Sequence, residues 1–401
     1  MQVKIAILGY GKRGSIYARY AQNNPDKFKV TAVAEIDPVK REIASNLHGC
    51  PVFEDWREML NSNLQADIIA VATQDADHPE HAVACMERGF DILLEKPIAT
   101  TEEGCEQILS VAKKHSRRVI VCHVLRYTPF YTRVKQIIDS GELGDILALY
   151  TSENVGYYHQ AHSFVRGPWG SKEKSSPMIL AKCCHDMDLL SWLIGKKCQK
   201  VASFGALTYF KEENAPENSA NYCSDCKADC IYKAQNLYKK HRWMAGYFSQ
   251  EEEWSKVKKA LRHSQYDKCV FRSDNDVVDH QACIFNFEGG IIASHTMDAF
   301  SDKIYRDIKV HGTKAELFGI MEQNLLEIRP FGGKVRRIKI DTSKAIGGHG
   351  GGDAGIMEEL YNEYNGLPTE CITHIDVSIE SHRMAFAAEK ARETESVVVL
   401  K

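Results

Sequence analysis

The first 120 residues alternate between short apolar runs and amphipathic stretches. Val3 to Leu8, FKVTAVA, ADIIAVAT, DILL and VIVCHV are apolar enough for strands buried on both faces. Between them the spacing predicts helices: Ile16, Tyr17 and Tyr20 share a face, then come stretches around Trp56 to Leu60, His81 to Gly89, and Glu102 to Lys114. Gly89 stands where a helix C-cap belongs. Strand and helix in strict alternation predict a doubly wound parallel sheet over residues 1–123. The pattern then changes. Phe130 to Ser140 predicts a helix with Val134, Ile137 and Ile138 on one face, and GELGDILALY turns into a strand. Alternation of period two in ACIFNFEGGIIASHTMDAF and RDIKVHGTKAELFGI, with a hairpin at Gly289-Gly290, suits an antiparallel sheet with one covered face. Residues 124–401 therefore form a second α/β domain. An insertion over about 211–268 breaks its rhythm, and a last helix returns to pack on the first domain. GGHGGGDAG (residues 347–355) is too glycine-rich for a packed element and reads as a loop over a cleft, with His349 near substrate, or as a linker.

Composition narrows the class. Hydrophobic residues make up 44% and charged residues 26%, and the net charge is −3, so nothing argues for nucleic acid or an anionic membrane. No apolar run approaches the roughly 18 residues of a membrane span, and the N-terminus lacks the features of a signal peptide. Thirteen cysteines, an odd number and mostly single in apolar settings such as Cys85, Cys122 and Cys283, argue for a reducing, cytoplasmic compartment.

Candidate chemistry begins at residue 9. Gly9-Tyr10-Gly11-Lys12-Arg13-Gly14 is GxGxxG between a strand and a helix, the context that lets a pyrophosphate approach the backbone at a helix N-terminus. Glu35, 21 residues after Gly14, suits the hydroxyls of an adenine ribose and favours NAD; Asp37 competes with it, and Lys40 and Arg41 leave NADP open. Glu95-Lys96-Pro97 follows DILL, at the carboxyl end of a strand, where open α/β sheets bind ligands. A lysine there suits proton donation or carbonyl polarisation, and the proline restricts its backbone.

GYGKRG, the loop carrying His78, the helix ending at Gly89, EKPIAT and Arg126 in HVLRYTPFY together resemble the Gfo/Idh/MocA oxidoreductases, with GTKAELFG matching a stretch of their second domain. The resemblance implies a Rossmann domain and a C-terminal α/β domain with a large open, mainly antiparallel sheet, the substrate lying between them. It implies Lys96 aimed at the reacting carbon, with the bond before Pro97 usually cis, and His185 as acid/base on the substrate hydroxyl. An imidazole suits that task because its pKa lies near neutral. Thr73, His78, Glu95, Lys96 and Arg126 complete the candidate cofactor set with Gly9, Gly11, Lys12, Arg13, Gly14 and Glu35. Many relatives carry an aspartate four residues before the histidine. Here that position is Ala181, followed by Lys182, so the proton relay departs from the family pattern, and Asp186 or Asp188 is left to contribute.

Tyr158, His159, His162, Arg166 and Trp169, with Asp279 and His280 further on, combine aromatic faces with hydrogen-bonding groups, as sugar and polyol sites do. Cys223, Cys226 and Cys230 form CxxCxxxC, close enough for three thiolates to converge on zinc, with Cys269 best placed as fourth ligand ahead of Cys183, Cys184 or a nearby histidine; free thiols and disulfides are the alternatives. Such a site would staple an insertion with little core of its own. The expected function is an NAD(P)-dependent oxidoreductase acting on a sugar or polyol, as a homodimer or homotetramer. The alternatives are a glycoside hydrolase that oxidises its substrate transiently with retained NAD, and a non-enzymatic NAD-binding regulator.

Overall fold

The computed structural model describes residues 1–343, 345 and 347–400. Six strands, β1 (Val3–Leu8), β2 (Phe28–Ala34), β3 (Val52–Phe53), β4 (Ile68–Val71), β5 (Asp91–Leu94) and β6 (Val119–Val121), form one sheet in the order β3-β2-β1-β4-β5-β6. Every pair in it is parallel. Successive strand residues feed two cores on opposite faces. Ile5, Ile7, Ile68 and Leu93 point one way, and Ala6, Leu8, Ile69 and Leu94 the other. That is why these runs are apolar throughout instead of alternating. The edge strand β3 is two residues long, too short to show a period in sequence.

The crossover helices are α1 (Lys12–Asn23), α2 (Pro38–His48), α3 (Trp56–Asn61), α4 (His78–Glu87) and α5 (Glu102–His115), followed by α6 (Pro129–Asp139). Asp37 caps α2 by accepting from Val39 N and Lys40 N, and Thr101 caps α5 by accepting from Gly104 N. The helix Ile375–Thr394 contributes Ile375 and Ile379 to the core on one face of this sheet.

Nine strands make a second sheet: β7 (Ile146–Asn154), β8 (Cys198–Ala206), β9 (His280–Phe287), β10 (Ile292–Asp298), β11 (Tyr305–Gly312), β12 (Ala315–Ile320), β13 (Leu325–Pro330), β14 (Arg336–Lys339) and β15 (Val398–Val399). Their order is β14-β13-β12-β11-β7-β10-β9-β8-β15. It is mainly antiparallel, with β10 beside β7 in parallel.

The chain divides into two compact units that interleave in sequence. One comprises Met1–Leu147, Cys184–Cys198 and Val310–Phe386; the other comprises Ala148–Cys183, Gln199–Lys309 and Ala387–Lys401.

Two expectations are corrected here. The glycine run does not stay a loop: Gly352 opens the helix Gly352–Tyr364. A Cβ on Gly352 would lie 2.1 Å from Val124 O, and one on Gly355 2.7 Å from Tyr127 Cβ, so these glycines permit close packing. The insertion also has a core of its own, built from Phe210, Tyr232, Leu237, Tyr238, Tyr266 and Phe271. Aromatic residues spaced irregularly along a polar segment gave no period from which that core could be read.

Candidate active site

The turn after β1 is shaped by two glycines that tolerate no side chain and one that meets nothing. Gly9 has φ +91°, and a Cβ on it would sit 2.6 Å from Ala72 O. A Cβ on Gly14 would sit 2.0 Å from Gly9 O, so α1 could not approach the strand. A Cβ on Gly11 would meet nothing within 4 Å. Gly11 is also the N-cap of α1, and it supplies no side-chain cap, so the helix N-terminus is left to another acceptor. At the end of β2, Glu35 accepts from Tyr10 N at 2.7 Å and Asp37 N at 3.0 Å, which fixes its carboxylate beside the glycine turn. Asp37 is occupied in capping α2. Arg41 donates to the carbonyls of Glu35 and Ile36 and to Glu54. The fit is to a dinucleotide with a free ribose diol.

Arg13 turns away from that space. Its Nε meets Glu95 Oε1 at 2.6 Å, and its Nη2 meets Tyr17 OH at 2.7 Å and Asp353 Oδ1 at 2.9 Å. Burial alone would push the Glu95 carboxyl up, but Arg13, the Tyr17 hydroxyl and Lys96 hold it below its usual range. Asp353 is likewise held well below the carboxylate range: burial opposes this, and His349 Nδ1 at 3.0 Å together with Arg13 outweighs it. Neither Tyr17 nor Asp353 stands out in the sequence. Only the three-dimensional convergence identifies them.

Glu95 leads into Lys96-Pro97, joined by a cis peptide bond. Both sides of this turn are held. His78 Nδ1 donates to Pro97 O at 2.8 Å, and Ile98 N donates to His382 Nε2 at 2.8 Å. His78 is fully buried at the start of α4, so it braces the turn instead of lining a polar loop. His382 accepts on Nε2, so its proton sits on Nδ1 and points to Ser381 Oγ at 3.0 Å. Ser381 in turn donates to Ser378 O and lies 3.3 Å from His123 Nε2. Burial, reinforced by neighbouring His123, lowers His382 to about 3. Burial also pushes His123 well down, with Arg126 and Lys96 adding to the effect. Both imidazoles are therefore neutral. Both Ser381 and His382, polar residues of the last helix, are buried.

His185 lies in the first turn of the helix Cys184–Ile194 and is 5% exposed. Its ring packs edge-on against His123 at 5.8 Å between centroids and lies 6.0 Å from that of His349. Lys96 acts electrostatically on Cys184, His123 and His382. Arg126 is buried and bidentate to Asp188, at 2.6 Å for each contact, so its guanidinium is committed inside this unit. Asp188 lies 4.0 Å from His123 and is spent on Arg126. Thr73 Oγ1 bonds His81 Nδ1 at 2.8 Å. Lys12 lies in the first turn of α1, and burial pushes its pKa down.

The second unit holds the remaining candidates. Tyr158 stacks on His241 at 3.8 Å, and His159 packs edge-on against Phe164 and Trp243. His162, 1% exposed, stacks on Tyr266 at 4.6 Å and reaches Tyr238 OH at 3.0 Å. Trp169 tilts against Phe164. Arg166 is buried against the carbonyls of Lys268 and Tyr232. Asp279, fully buried, accepts from Thr208 N and Tyr209 N and pairs with the half-exposed His280 at 2.8 Å. His162, Arg166 and Asp279 thus serve the interior of this unit. Lys182, next to Ala181, pairs with buried Glu153 at 3.2 Å, as does Arg306.

Comparisons with known proteins give the family and the fold. The model of the oxidoreductase family with an NAD-binding Rossmann fold matches residues 3–123, and that of its C-terminal alpha/beta domain matches residues 135–400. YteT of Bacillus subtilis (strain 168), named as an oxidoreductase, is 24% identical over 83% of this chain and 82% of its own length. Inositol 2-dehydrogenase 2 of Saccharopolyspora erythraea is 28% identical over 49% of this chain; the match spans about half, 55%, of that relative. Among solved structures, levoglucosan dehydrogenase in complex with NADH and levoglucosan superposes with a TM-score of 0.75 at 16% identity, covering 100% of this chain and 99% of that one. The chain belongs to the Gfo/Idh/MocA family of NAD-binding oxidoreductases.

Proposed function

We propose that this enzyme interconverts a secondary alcohol and a ketone on a sugar, polyol or related carbohydrate, with Lys96 and His185 handling the proton. The observation that carries the reading is the Lys96-Pro97 turn, fixed from both sides by His78 and His382 at the carboxyl end of β5. These bonds fix the backbone that carries the Lys96 side chain, and polarisation of a carbonyl requires such positioning. When bound, the nicotinamide supplies the hydride acceptor or donor. Gly9, Gly11 and Gly14 would hold the pyrophosphate and Glu35 the ribose diol. The engagement of Arg41 with backbone carbonyls supports NAD over NADP. In oxidation His185 takes the hydroxyl proton on an imidazole nitrogen while Lys96 hydrogen-bonds the oxygen; in reduction His185 returns it. Tyr158, His159, Trp169 and His280 are the candidates for contact with a hydroxylated ring. The names of the inositol and levoglucosan dehydrogenases support a carbohydrate substrate.

Ala181 favours a second reading, a glycoside hydrolase in which retained NAD is regenerated each cycle. One assay separates the two. The purified enzyme is incubated with NAD⁺ and a panel of inositols, aldoses and aryl glycosides, following both net NADH and released phenol. Stoichiometric NADH with the polyol or sugar is expected. Phenol release without net NADH would overturn the dehydrogenase reading.

Self-association is part of the same proposal. In register across β7, β10 and β9, Tyr150, Ser294 and Ile284 share a sheet face, and Tyr150 is 42% and Ile284 55% exposed. An apolar face of this kind suits a homodimer or homotetramer contact.

A further inference from the structure

The cysteine motif takes no part in the oxidoreductase chemistry, and the structure gathers it around one point. Cys223, Cys226, Cys230 and Cys269 all line a cavity of about 10 Å³, room for roughly one atom-sized guest. The backbone explains why they meet. Tyr222 and Lys268 form an antiparallel bridge, flanked by Cys223 N donating to Asp267 O at 2.7 Å and Cys269 N to Asn221 O at 2.8 Å. Cys226 N turns back to Cys223 O at 3.3 Å, so the first two cysteines share one tight turn. All thirteen cysteines are free thiols, and the disulfide alternative is not realised.

Arg166 lines the same cavity and is 4% exposed. It donates to Lys268 O at 2.6 Å, Tyr232 O at 2.7 Å and Cys223 Sγ at 3.5 Å, and its Nη1 is buried without a hydrogen-bond partner. Among the described residues it has no carboxylate in an ion pair. The buried acid Asp267 attracts it electrostatically but spends its hydrogen bonds on Ser224 N and Gln235 Nε2. A buried guanidinium whose neighbouring carboxylate is not in contact with it gains from a closer negative charge, and neutral thiols do not supply one. Four thiolates on a divalent ion do, because that complex carries two negative charges. Lys233, which donates to Cys226 O at 2.9 Å, supplies the second positive charge at the rim.

We propose that Cys223, Cys226, Cys230 and Cys269 form a structural tetrathiolate site for Zn²⁺, with Arg166 as its buried countercharge. Binding replaces four S–H bonds by four Zn–S bonds and releases four protons to solvent, with no change of oxidation state. No three of the four sulfurs stand mutually within 4.8 Å. A tetrahedral shell with Zn–S of about 2.3 Å therefore requires side-chain rotations that draw the thiols inward. The role is to tie the 222–230 turn to the 268–271 segment beneath the aromatic core of the insertion.

The test is metal content and spectroscopy on the full-length protein, with no need of an assay. Enzyme dialysed against metal-free buffer is measured by elemental analysis, beside Cys226→Ser and the control Cys50→Ser. One zinc per chain is expected in the wild type and in Cys50→Ser, falling at least fivefold in Cys226→Ser. Should Cys226→Ser fail to fold, Co²⁺-substituted wild-type protein decides: a tetrahedral thiolate spectrum supports the site. Metal-free soluble wild type that shows no such spectrum on adding Co²⁺ overturns it. So does zinc retained equally in folded Cys226→Ser, or a disulfide among these cysteines found by non-reducing mass spectrometry.

Discussion

Gly11 and Gly14 stand three residues apart in one motif, yet the physical constraints on them are opposite. Gly14 is fixed by the carbonyl of Gly9, 2.0 Å from where its Cβ would be, whereas Gly11 faces space and has φ −73°. Gly14→Ala should therefore lower the stability of the whole domain by the several kcal/mol typical of overpacking. Gly11→Ala should keep the melting temperature and weaken NADH binding by roughly tenfold or more, because its methyl enters the space a pyrophosphate needs. Fluorescence titration with NADH alongside thermal melts checks both; loss of fold in Gly11→Ala would contradict the assignment. The motif was legible in sequence because strand, turn and helix follow one another directly. Arg13 enters the candidate cofactor set through the same motif, but its guanidinium pairs with Glu95 and Asp353, 82 and 340 residues away. No local pattern reports a partner at that distance.

The element that the rest of the site depends on is the turn from Glu95 to Ile98, and its braces come from four directions. Arg13 on α1, His78 on α4, and His382 on the last helix hold it, while Asp353 fixes Arg13. Arg13→Ala removes the guanidinium shared by buried Glu95 and Asp353, leaving them Lys96 and His349, and should cost about 3–5 kcal/mol in urea unfolding. A cost below about 1 kcal/mol would show that the network is incidental. His382 sets a pH signature. Its folded pKa of about 3 lies below its ordinary value of 6.5. Between those values the unfolded chain binds a proton that the folded chain does not. The stability from neutral His382 is thus fully present above pH 6.5 and is lost as pH falls towards 3. Stability measured from pH 6.5 to 4 should fall less steeply in His382→Gln, by up to about 1.4 kcal/mol per pH unit, leaving a residual slope from His123. Equal slopes would contradict a buried neutral His382. Most strands and crossover helices were readable because burial on both faces and helical period leave plain patterns; α2 was not, since Ala44 is its one buried residue. IMEELYNEY reads as a helix, but the first turn of Gly352–Tyr364 was hidden because its glycines serve packing against Val124 and Tyr127, a requirement set by another element.

At the scale of the molecule, the parallel sheet was legible almost strand by strand, while the insertion was legible only as an interruption. Its cysteines gave a motif, but its aromatic core and the inward turn of His162 and Arg166 arise from contacts that span up to about a hundred residues. The apolar row on β7 and β9 belongs to this scale too. Ile284→Lys should shift the protein to a smaller assembly in sedimentation without loss of fold, since a charge there opposes burial of the face. An unchanged assembly would place any contact elsewhere. The central claim, however, is that Lys96 and His185 act on the substrate proton in a cofactor site that stands without them. The direct measurement is kcat/KM with the best polyol or sugar, beside the NADH dissociation constant, for wild type, Lys96→Met and His185→Ala. The account predicts that kcat/KM falls by about 10²–10⁴-fold in each variant. NADH affinity should stay within about threefold, a change of less than one kcal/mol. Turnover unchanged in either variant would contradict it.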